Sequence, residues 1–276
     1  MNILQAMQRR KSVRTYAERP LSAADRQAVL DIIDRVGAQN PFGTSQKFWL
    51  LDPAENKLTS PVLVGNVLFV GGKCRREPLA EVAFGYVFET MMLEFVRLGL
   101  GTVWLAGTIK RPLFETAMEV SEDEMMPAVT PIGYPAAHCS LREKMMRKGI
   151  KADHRQPFGS LFFSGGLTTS LRPETAGGWA EAMEAVRWAP SAANSQPWRL
   201  VVEGEHVHFI EKKRAGFDRK GVGDIQKCDI GIAMAHFELT LSAAGIHGSW
   251  QQLMPAITLD SDMEYIISFV KEGQIR

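Results

Sequence analysis

The sequence predicts a globular protein that combines helices with strands and is built from two similar halves. Hydrophobic residues make up 45% of the 276 residues and charged residues 23%, the balance of a chain that folds around a core. Stretches with helical hydrophobic spacing alternate with short strand-like runs, and two such blocks recur later in the chain in the same order. This recurrence decides the predicted architecture.

Composition argues against several classes of protein. The formal net charge is +1, so the chain lacks a general field that attracts nucleic acid or a membrane surface. Cys74, Cys139 and Cys228 show no C-x-x-C spacing, which argues against a disulfide framework or a structural zinc. The apolar runs are too short to cross a bilayer, and the first residues do not resemble a secretory signal. We therefore expect a cytoplasmic protein without nucleic-acid or membrane partners.

The first repeated block is a helix followed by a strand. Its apolar face recurs at a constant offset, since 179 − 29 and 186 − 36 both give 150. The two faces consist of Val29, Ile32, Ile33 and Val36, and of Trp179, Ala182, Met183 and Val186. Ser22 and Asp25 resemble a capping box at the start of the first helix, and Gly37 fits its end. Strand-like runs follow at 48–51 and 198–202.

The second repeated block is a longer helix with matched residues within it and after it. Three pairs, each 146 residues apart, define the match: Gly85 and Gly231, Gly99 and Gly245, and Trp104 and Trp250. The two offsets differ by four residues, as a short insertion or deletion in a loop would cause. Because two blocks recur in the same order, duplication explains them better than chance.

The repeats predict two halves, residues 1–163 and 174–276, joined by a linker rich in Gly, Ser and Thr at 164–173. The halves are unequal. The first half carries an additional N-terminal helix and a basic segment after PAVTPIGYPA, whereas the second keeps only the corresponding strand at 265–270. Duplication followed by selective loss predicts that one of two original sites was kept.

Two segments have the composition of a binding site. The run APSAANSQPW at 189–198 joins a helix to a strand, and its short polar side chains suit the edge of a planar heterocycle. A capped turn that satisfies its own backbone has the same composition. The run RRKSVR at 9–14 places four cations and a hydroxyl within six positions, enough to bind a phosphate. A basic turn that is exposed to solvent and binds nothing would have the same composition.

Two other segments carry less information by themselves. The run GLGTVWLAGT at 99–108 contains glycines that permit close approach of a ligand but also end helices. It does not match the G-x-G-x-x-G dinucleotide fingerprint, and it ends a helix instead of opening one. The fourth segment, Gly-Tyr-Pro at 133–135, is followed by basic residues.

In this order, RRKSVRTY, GLGTVWLAG, PIGYPA and APSAANSQPW resemble the motifs of the nitroreductase family of FMN enzymes, most closely its internally duplicated members. The resemblance covers most of the chain. In ordinary members the arginine-rich motif and PSxxNxQPW lie in the same half. Here the intact copy of the second motif lies in the second half, and the matching segment 40–48 of the first half keeps only Ser45 and Gln46.

The resemblance implies an α+β fold in which mixed, mostly antiparallel sheets are flanked by helices. Two tandem halves would form a pseudo-homodimer, so the chain is expected to be a monomer. Family members are usually homodimers with FMN at the interface, held through its phosphate by one subunit and contacted by the PSxxN loop of the other. Because the second half lacks RRxSxR, one flavin per chain is expected.

The resemblance also assigns the cofactor-binding residues. For the phosphate, ribityl and pyrimidine end it implies Arg10, Lys11, Ser12 and Arg14, with Arg155 and the weaker match Lys151 as further phosphate ligands. Beside the reactive flavin nitrogen it implies Leu105, Ala106 and Gly107, and from the second half Pro190, Ser191, Ala192 and Asn194.

The implied activity is ping-pong hydride transfer, in which NADH or NADPH reduces FMN and a nitroaromatic or quinone acceptor then enters the same pocket. Arg14 is the expected stabiliser of the reduced flavin, and no other catalytic side chain is predicted. A flavin-binding sensor or sequestering protein with little turnover is the alternative, and a pseudo-dimer without cofactor a third. His206 and His208 alternate on a presumed strand, but no third ligand has suitable spacing, so we predict no metal site.

Overall fold

The structure is a computed structural model that describes residues 1–273. Within those residues the α-helices are α1 (Ile3–Arg9), α2 (Ala23–Gly37), α3 (Pro53–Asn56), α4 (Ala80–Arg97), α5 (Arg111–Ala117), α6 (Leu141–Gly149), α7 (Ala180–Trp188) and α8 (Ile225–Ala243). The strands are β1 (Gln46–Leu51), β2 (Leu68–Arg75), β3 (Glu124–Met125), β4 (Val129–Ile132), β5 (Phe162–Ser164), β6 (Trp198–Glu203), β7 (His206–Lys212), β8 (Asp218–Arg219), β9 (Gly223–Asp224), β10 (Gly248–Gln251) and β11 (Met263–Lys271).

The predicted helices form where hydrophobic periodicity places them. Ser22 caps α2 by accepting a hydrogen bond from the Asp25 N–H, and the four predicted apolar residues of α2 are buried. The matching face of α7 is buried as well. Helices α4 and α8 are apolar on nearly all sides because each is buried between two hydrophobic cores. In residues 1–273 no helix has the length and apolar character needed to span a bilayer.

Two larger sheets contain most of the strands, and β8 and β9 form a separate two-stranded antiparallel sheet. In the first sheet β2 is central, antiparallel to β1 on one side and to β3 and β4 on the other. The second sheet has the order β10-β11-β7-β6-β5, in which every pairing is antiparallel except the parallel pair of β5 and β6. Mixed, mostly antiparallel sheets with flanking helices confirm the predicted α+β class.

Strand β5 lies at the predicted boundary between the halves. It pairs with β6, so the chain segment before the predicted linker joins the sheet of the second half. Leu161 and Phe162 are fully buried in the core of that half. The boundary predicted after residue 163 thus falls inside a strand, because a three-residue apolar run carries no signal of the sheet it will join.

Helices α4 and α8 approach each other closely at two glycines. A Cβ atom at Gly85 would lie 2.1 Å from the Cys228 carbonyl oxygen, and one at Gly231 would lie 2.0 Å from the Val82 carbonyl oxygen. Gly85 and Gly231 are 146 residues apart, as are Val82 and Cys228. Each contact is therefore the counterpart of the other, as in an isologous interface.

Substitution of either glycine by alanine is expected to destabilise the protein. Because the obstructing atoms belong to helix backbone and cannot rotate away, we expect Gly85→Ala and Gly231→Ala each to lower the free energy of unfolding by about 1–3 kcal/mol. Urea denaturation measures this. Gly178→Ala is the control, because a Cβ atom there meets no heavy atom within 4 Å. Equal stability of all three variants would contradict the close helix contact.

Candidate functional site

A cavity of about 690 Å³ opens where the N-terminal segment meets α7 and α8. Residues of α6 and of the segment after it complete the lining. Five cationic side chains and three carboxylates line it: Arg9, Arg10, Lys11, Arg147 and Arg155, with Asp153, Glu181 and Glu184. Two of these carboxylates are already paired, Asp153 with Arg147 and Glu184 with Arg187. The excess of positive charge suits an anionic ligand.

Arg10 lines this cavity with a side chain that is only 7% exposed. Its Nε atom lies 3.7 Å from Glu89 Oε1, and its Nη1 atom is buried without a hydrogen-bond partner in the part of the chain that the structure describes. Desolvation lowers the pKa of Arg10, and the Glu89 carboxylate opposes that shift. A buried donor without an acceptor costs free energy, so this group indicates an anion that would complete it.

Glu89 contacts side chains from both halves of the chain. Its carboxylate is fully buried; Oε2 accepts a hydrogen bond from Trp104 Nε1 at 2.8 Å, and Oε1 lies 3.1 Å from His236 Nε2 on α8. The sequence-based prediction missed Glu89 and His236. Their only signal was a polar residue inside an apolar helix, which is also common at helix contacts without function.

Arg155 connects the cavity to the predicted second-half loop. Its Nη2 atom donates to the Trp188 carbonyl at 3.1 Å, and Nη1 lies 3.5 Å from Asn194 Oδ1. Asn194 Nδ2 in turn donates to the carbonyls of Lys151 and His154 at 2.8 and 2.9 Å. Desolvation, and next the nearby Arg10, lower the pKa of Arg155. The structure thus brings Arg10, Lys11 and Arg155 to one cavity and places Asn194 beside Arg155.

The loop after α7 is held by hydrogen bonds within the protein. Ala193, Asn194 and Gln196 have φ values of 50°, 55° and 49°, a region that costs free energy for residues other than glycine. Ser191 Oγ accepts a hydrogen bond from the Gln196 N–H, and the Ala192 N–H donates to both oxygens of Asp229. Part of the loop's polar composition therefore stabilises its own conformation, as a capped turn would.

Buried carboxyl groups lie behind this loop. Burial raises the pKa of Asp229 well above its usual range. Glu211 is fully buried on β7, and neither of its carboxyl oxygens has a hydrogen-bond partner among the described residues. Desolvation and the charge of Asp224 raise the pKa of Glu211 to about 7.

Arg14 does not line the cavity. Its main-chain N–H donates to Glu143 Oε2 at 3.2 Å, and the same oxygen accepts a hydrogen bond from the Thr15 hydroxyl at 2.8 Å, so α6 packs over this segment. The Nε and Nη1 atoms of Arg14 are buried and have no partner within residues 1–273. Ser12 forms a β-bridge with Thr102 and is half-buried.

The segment predicted beside the reactive flavin nitrogen is not part of the cavity lining. Leu105 exchanges both main-chain hydrogen bonds with Val129, at 2.9 and 3.0 Å. The carbonyl of Ala106 accepts a hydrogen bond from Arg111, and Gly107 lines a second cavity of about 300 Å³. The assignment of these residues came from the resemblance to the nitroreductase motifs, and a glycine-containing motif carries no information about which cavity a loop faces.

Both ring nitrogens of His208, which lies on strand β7 as predicted, are within hydrogen-bond distance of protein atoms. Its Nδ1 atom lies 2.6 Å from Ser268 Oγ and its Nε2 atom 3.2 Å from Glu203 Oε2. No group of three or more potential metal ligands occurs in residues 1–273.

The family model described as "Putative TM nitroreductase" matches residues 2–241. The chain belongs to this nitroreductase family. Nitroreductases are flavin-dependent oxidoreductases, and membership places the chain in that class. No curated protein sequence matches the chain.

Solved nitroreductase structures resemble the chain over different lengths. A putative nitroreductase from Thermotoga maritima is 19% identical with a TM-score of 0.59, covering 98% of this chain and 94% of its own. A nitroreductase family protein from Clostridium novyi is 15% identical with a TM-score of 0.41, covering 50% and 87%. An FMN-dependent nitroreductase from Clostridium difficile is 13% identical with a TM-score of 0.39, covering 52% and 95%. The match to the Thermotoga maritima structure confirms the predicted fold over nearly the whole length of this chain.

The raised pKa of Glu211 predicts that the nitroreductase loses stability as pH rises. The folded chain holds a proton that the unfolded chain, with a carboxyl pKa of 4.5, releases, so the free energy of unfolding should fall between roughly pH 4.5 and 7 and then level off. Urea denaturation between pH 5 and 8 measures the slope. Glu211→Gln should reduce it, with the remainder due to Asp224 and Asp229, whose pKa values burial also raises.

The control is Glu205→Gln, because Glu205 is an exposed carboxylate paired with Lys271. This variant should keep the wild-type slope. An unchanged slope in Glu211→Gln would show that Glu211 is not protonated in the folded protein at pH 5.

Proposed function

We propose that this nitroreductase binds FMN in the cation-rich cavity and uses NADH or NADPH to reduce a small acceptor such as a nitroaromatic or a quinone. One observation carries the proposal: Arg10 and Arg155 line the same cavity, and each has a buried guanidinium nitrogen without an acceptor among the described residues. A phosphate oxygen is the acceptor that such donors bind best.

The cavity fits the cofactor in size and in charge. Its volume of about 690 Å³ lies within the range of small-molecule sites. Arg10, Lys11 and Arg155 would hold the phosphate. Arg14 does not line the cavity; its assignment to the pyrimidine side is supported by its Nε and Nη1 atoms, which are buried without a partner among the described residues. The contacts from the second half would be Pro190, Ser191, Ala192 and Asn194. They do not line the cavity themselves, and the approach of Asn194 to Arg155 supports the assignment.

When bound, FMN supplies the hydride transfer, in a ping-pong order between the nicotinamide and the acceptor. The chain's own residues bind and orient. Trp188, whose ring is half-exposed at the cavity, lies against the Arg155 guanidinium with 5.0 Å between the ring centroid and Cζ. This cation–π contact keeps the arginine directed along the cavity wall.

The pseudo-homodimer is part of the same proposal. Val82 of α4 packs in the core of the second half, and Ile225 and Cys228 of α8 pack in the core of the first. A subunit interface in a homodimer exchanges residues in this way. The contact between halves would replace that interface, so light scattering should give a monomer near 30.7 kDa. A stable dimer would contradict this.

A second candidate function is a flavin-binding sensor or sequestering protein with little turnover. It is favoured by the placement of Leu105, Ala106 and Gly107, which do not line the cavity although they match the motif expected beside the reactive nitrogen. Anaerobic mixing with NADH and with NADPH separates the two functions. Rapid bleaching of the bound flavin supports the enzyme, whereas persistent oxidised flavin supports the binding protein.

The first test of FMN binding is the absorption spectrum of the purified protein, with a flavin-to-chain ratio of one expected. Arg10→Gln and Arg155→Gln should each weaken FMN binding about 10–100-fold, because each removes hydrogen bonds to a charged group. Their affinity for riboflavin, which lacks the phosphate, should change little. Quenching of flavin fluorescence measures both.

Arg199→Gln is the matched control for these substitutions. Arg199 is a half-buried arginine that donates to the Gln196 and Trp198 carbonyls and does not line the cavity. It should bind FMN like the wild type. A colourless protein that takes up no added FMN would overturn the proposed cofactor.

A further inference from the structure

The imidazole of His236 is fixed at one nitrogen and free at the other. His236 lines the cation-rich cavity from α8 and is 1% exposed. Its Nε2 atom lies 3.1 Å from Glu89 Oε1, whereas its Nδ1 atom is buried without a hydrogen-bond partner in the described chain. A carboxylate that accepts a hydrogen bond from one ring nitrogen orients the ring, and an imidazole that carries a proton on both nitrogens can also donate through the second.

Arg10 has the same arrangement on the same carboxylate oxygen. Its Nε atom lies 3.7 Å from Glu89 Oε1, and its Nη1 atom has no partner in residues 1–273. Trp104 Nε1 holds the other oxygen of Glu89, which prevents the carboxylate from rotating. Glu89 thus orients two side chains, one from each half, and each has an unpartnered nitrogen and lines the cavity.

The repeat places this pair at one site only. The residue matched to His236 at the offset of 146 is Thr90, and the residue matched to Glu89 is Ala235. Thr90 donates its hydroxyl to the Tyr86 carbonyl within its own helix. The histidine therefore belongs to the site that has the run RRKSVR. Threonine belongs to the symmetry-related position, for which the second half has no such run.

We propose that His236 is a phosphate ligand of this cavity, donating through Nδ1 to the same anion that Arg10 binds, with Glu89 orienting both. The ligand class is a phosphate monoester. The proposal deepens the proposed function and rests on it for the identity of that monoester as FMN. Neither RRKSVR nor the PSxxN loop contains the residue, so it adds a contact from α8 to those that the motifs predict.

Two substitutions of His236 distinguish the roles of its two ring nitrogens. In His236→Gln the amide can replace Nε2 beside Glu89, but nothing replaces Nδ1. In His236→Asn the shorter amide can replace Nδ1. We expect His236→Gln to bind FMN about tenfold more weakly, with riboflavin affinity unchanged, and His236→Asn to keep most of the preference for FMN over riboflavin.

His208→Gln is the matched control. His208 is equally buried and also lies beside a carboxylate, yet it belongs to β7 and does not line the cavity. Its variant should bind both flavins like the wild type. If His236→Gln does not fold, His236→Thr is measured instead, because it introduces the residue found at the matched position of the first half.

Inorganic phosphate tests the site without a flavin. Phosphate should raise the melting temperature of the wild type more than that of His236→Gln. If the wild type binds no flavin but shows this difference, the FMN proposal fails and the His236 proposal stands. The His236 proposal is overturned if the substitution weakens FMN and riboflavin equally, or leaves both FMN affinity and phosphate protection unchanged.

Discussion

The close contact between α4 and α8 is the constraint on which the rest of the structure depends. At Gly85 and Gly231 the two backbones are so near that a Cβ atom would collide with the opposite helix. About one helical turn further along, Glu89 on α4 reaches His236 on α8. His236 lines the cavity and Glu89 holds it from behind, so the helix contact that joins two hydrophobic cores also positions a group proposed to bind a ligand.

In each half an indole N–H donates a hydrogen bond to a glutamate, but the surroundings of the two carboxylates differ. Trp104 donates to Glu89 in the first half, and Trp250 donates to Glu238 in the second. Glu238 also accepts the Tyr86 hydroxyl, whereas Glu89 lies beside an arginine and a histidine. An indole that holds a carboxylate is thus a structural feature of both halves. Of these two glutamates, Glu89 is the one that lies beside side chains lining the cavity, Arg10 and His236.

Several helices could be predicted because a local pattern determines them. Hydrophobic periodicity predicted α2, α4, α7 and α8, because burial of one face or of a whole helix leaves a repeating trace. Two residues of the cationic run, Arg10 and Lys11, line one cavity. Local patterns do not determine which cavity the segment 105–107 faces or which sheet the strand at 162–164 joins, because glycines and a three-residue strand are compatible with many neighbours.

The sequence by itself was enough to identify the family and to predict two similar halves with the run RRKSVR in the first, because these properties reside in the order of residues. The tertiary structure decided which cations meet, that Arg14 lies under α6, and that Glu89 contacts a histidine 147 residues away. The physical reason is that a buried polar side chain must find its partner in space. The identity of that partner depends on the approach of α4 to α8, which no local pattern records.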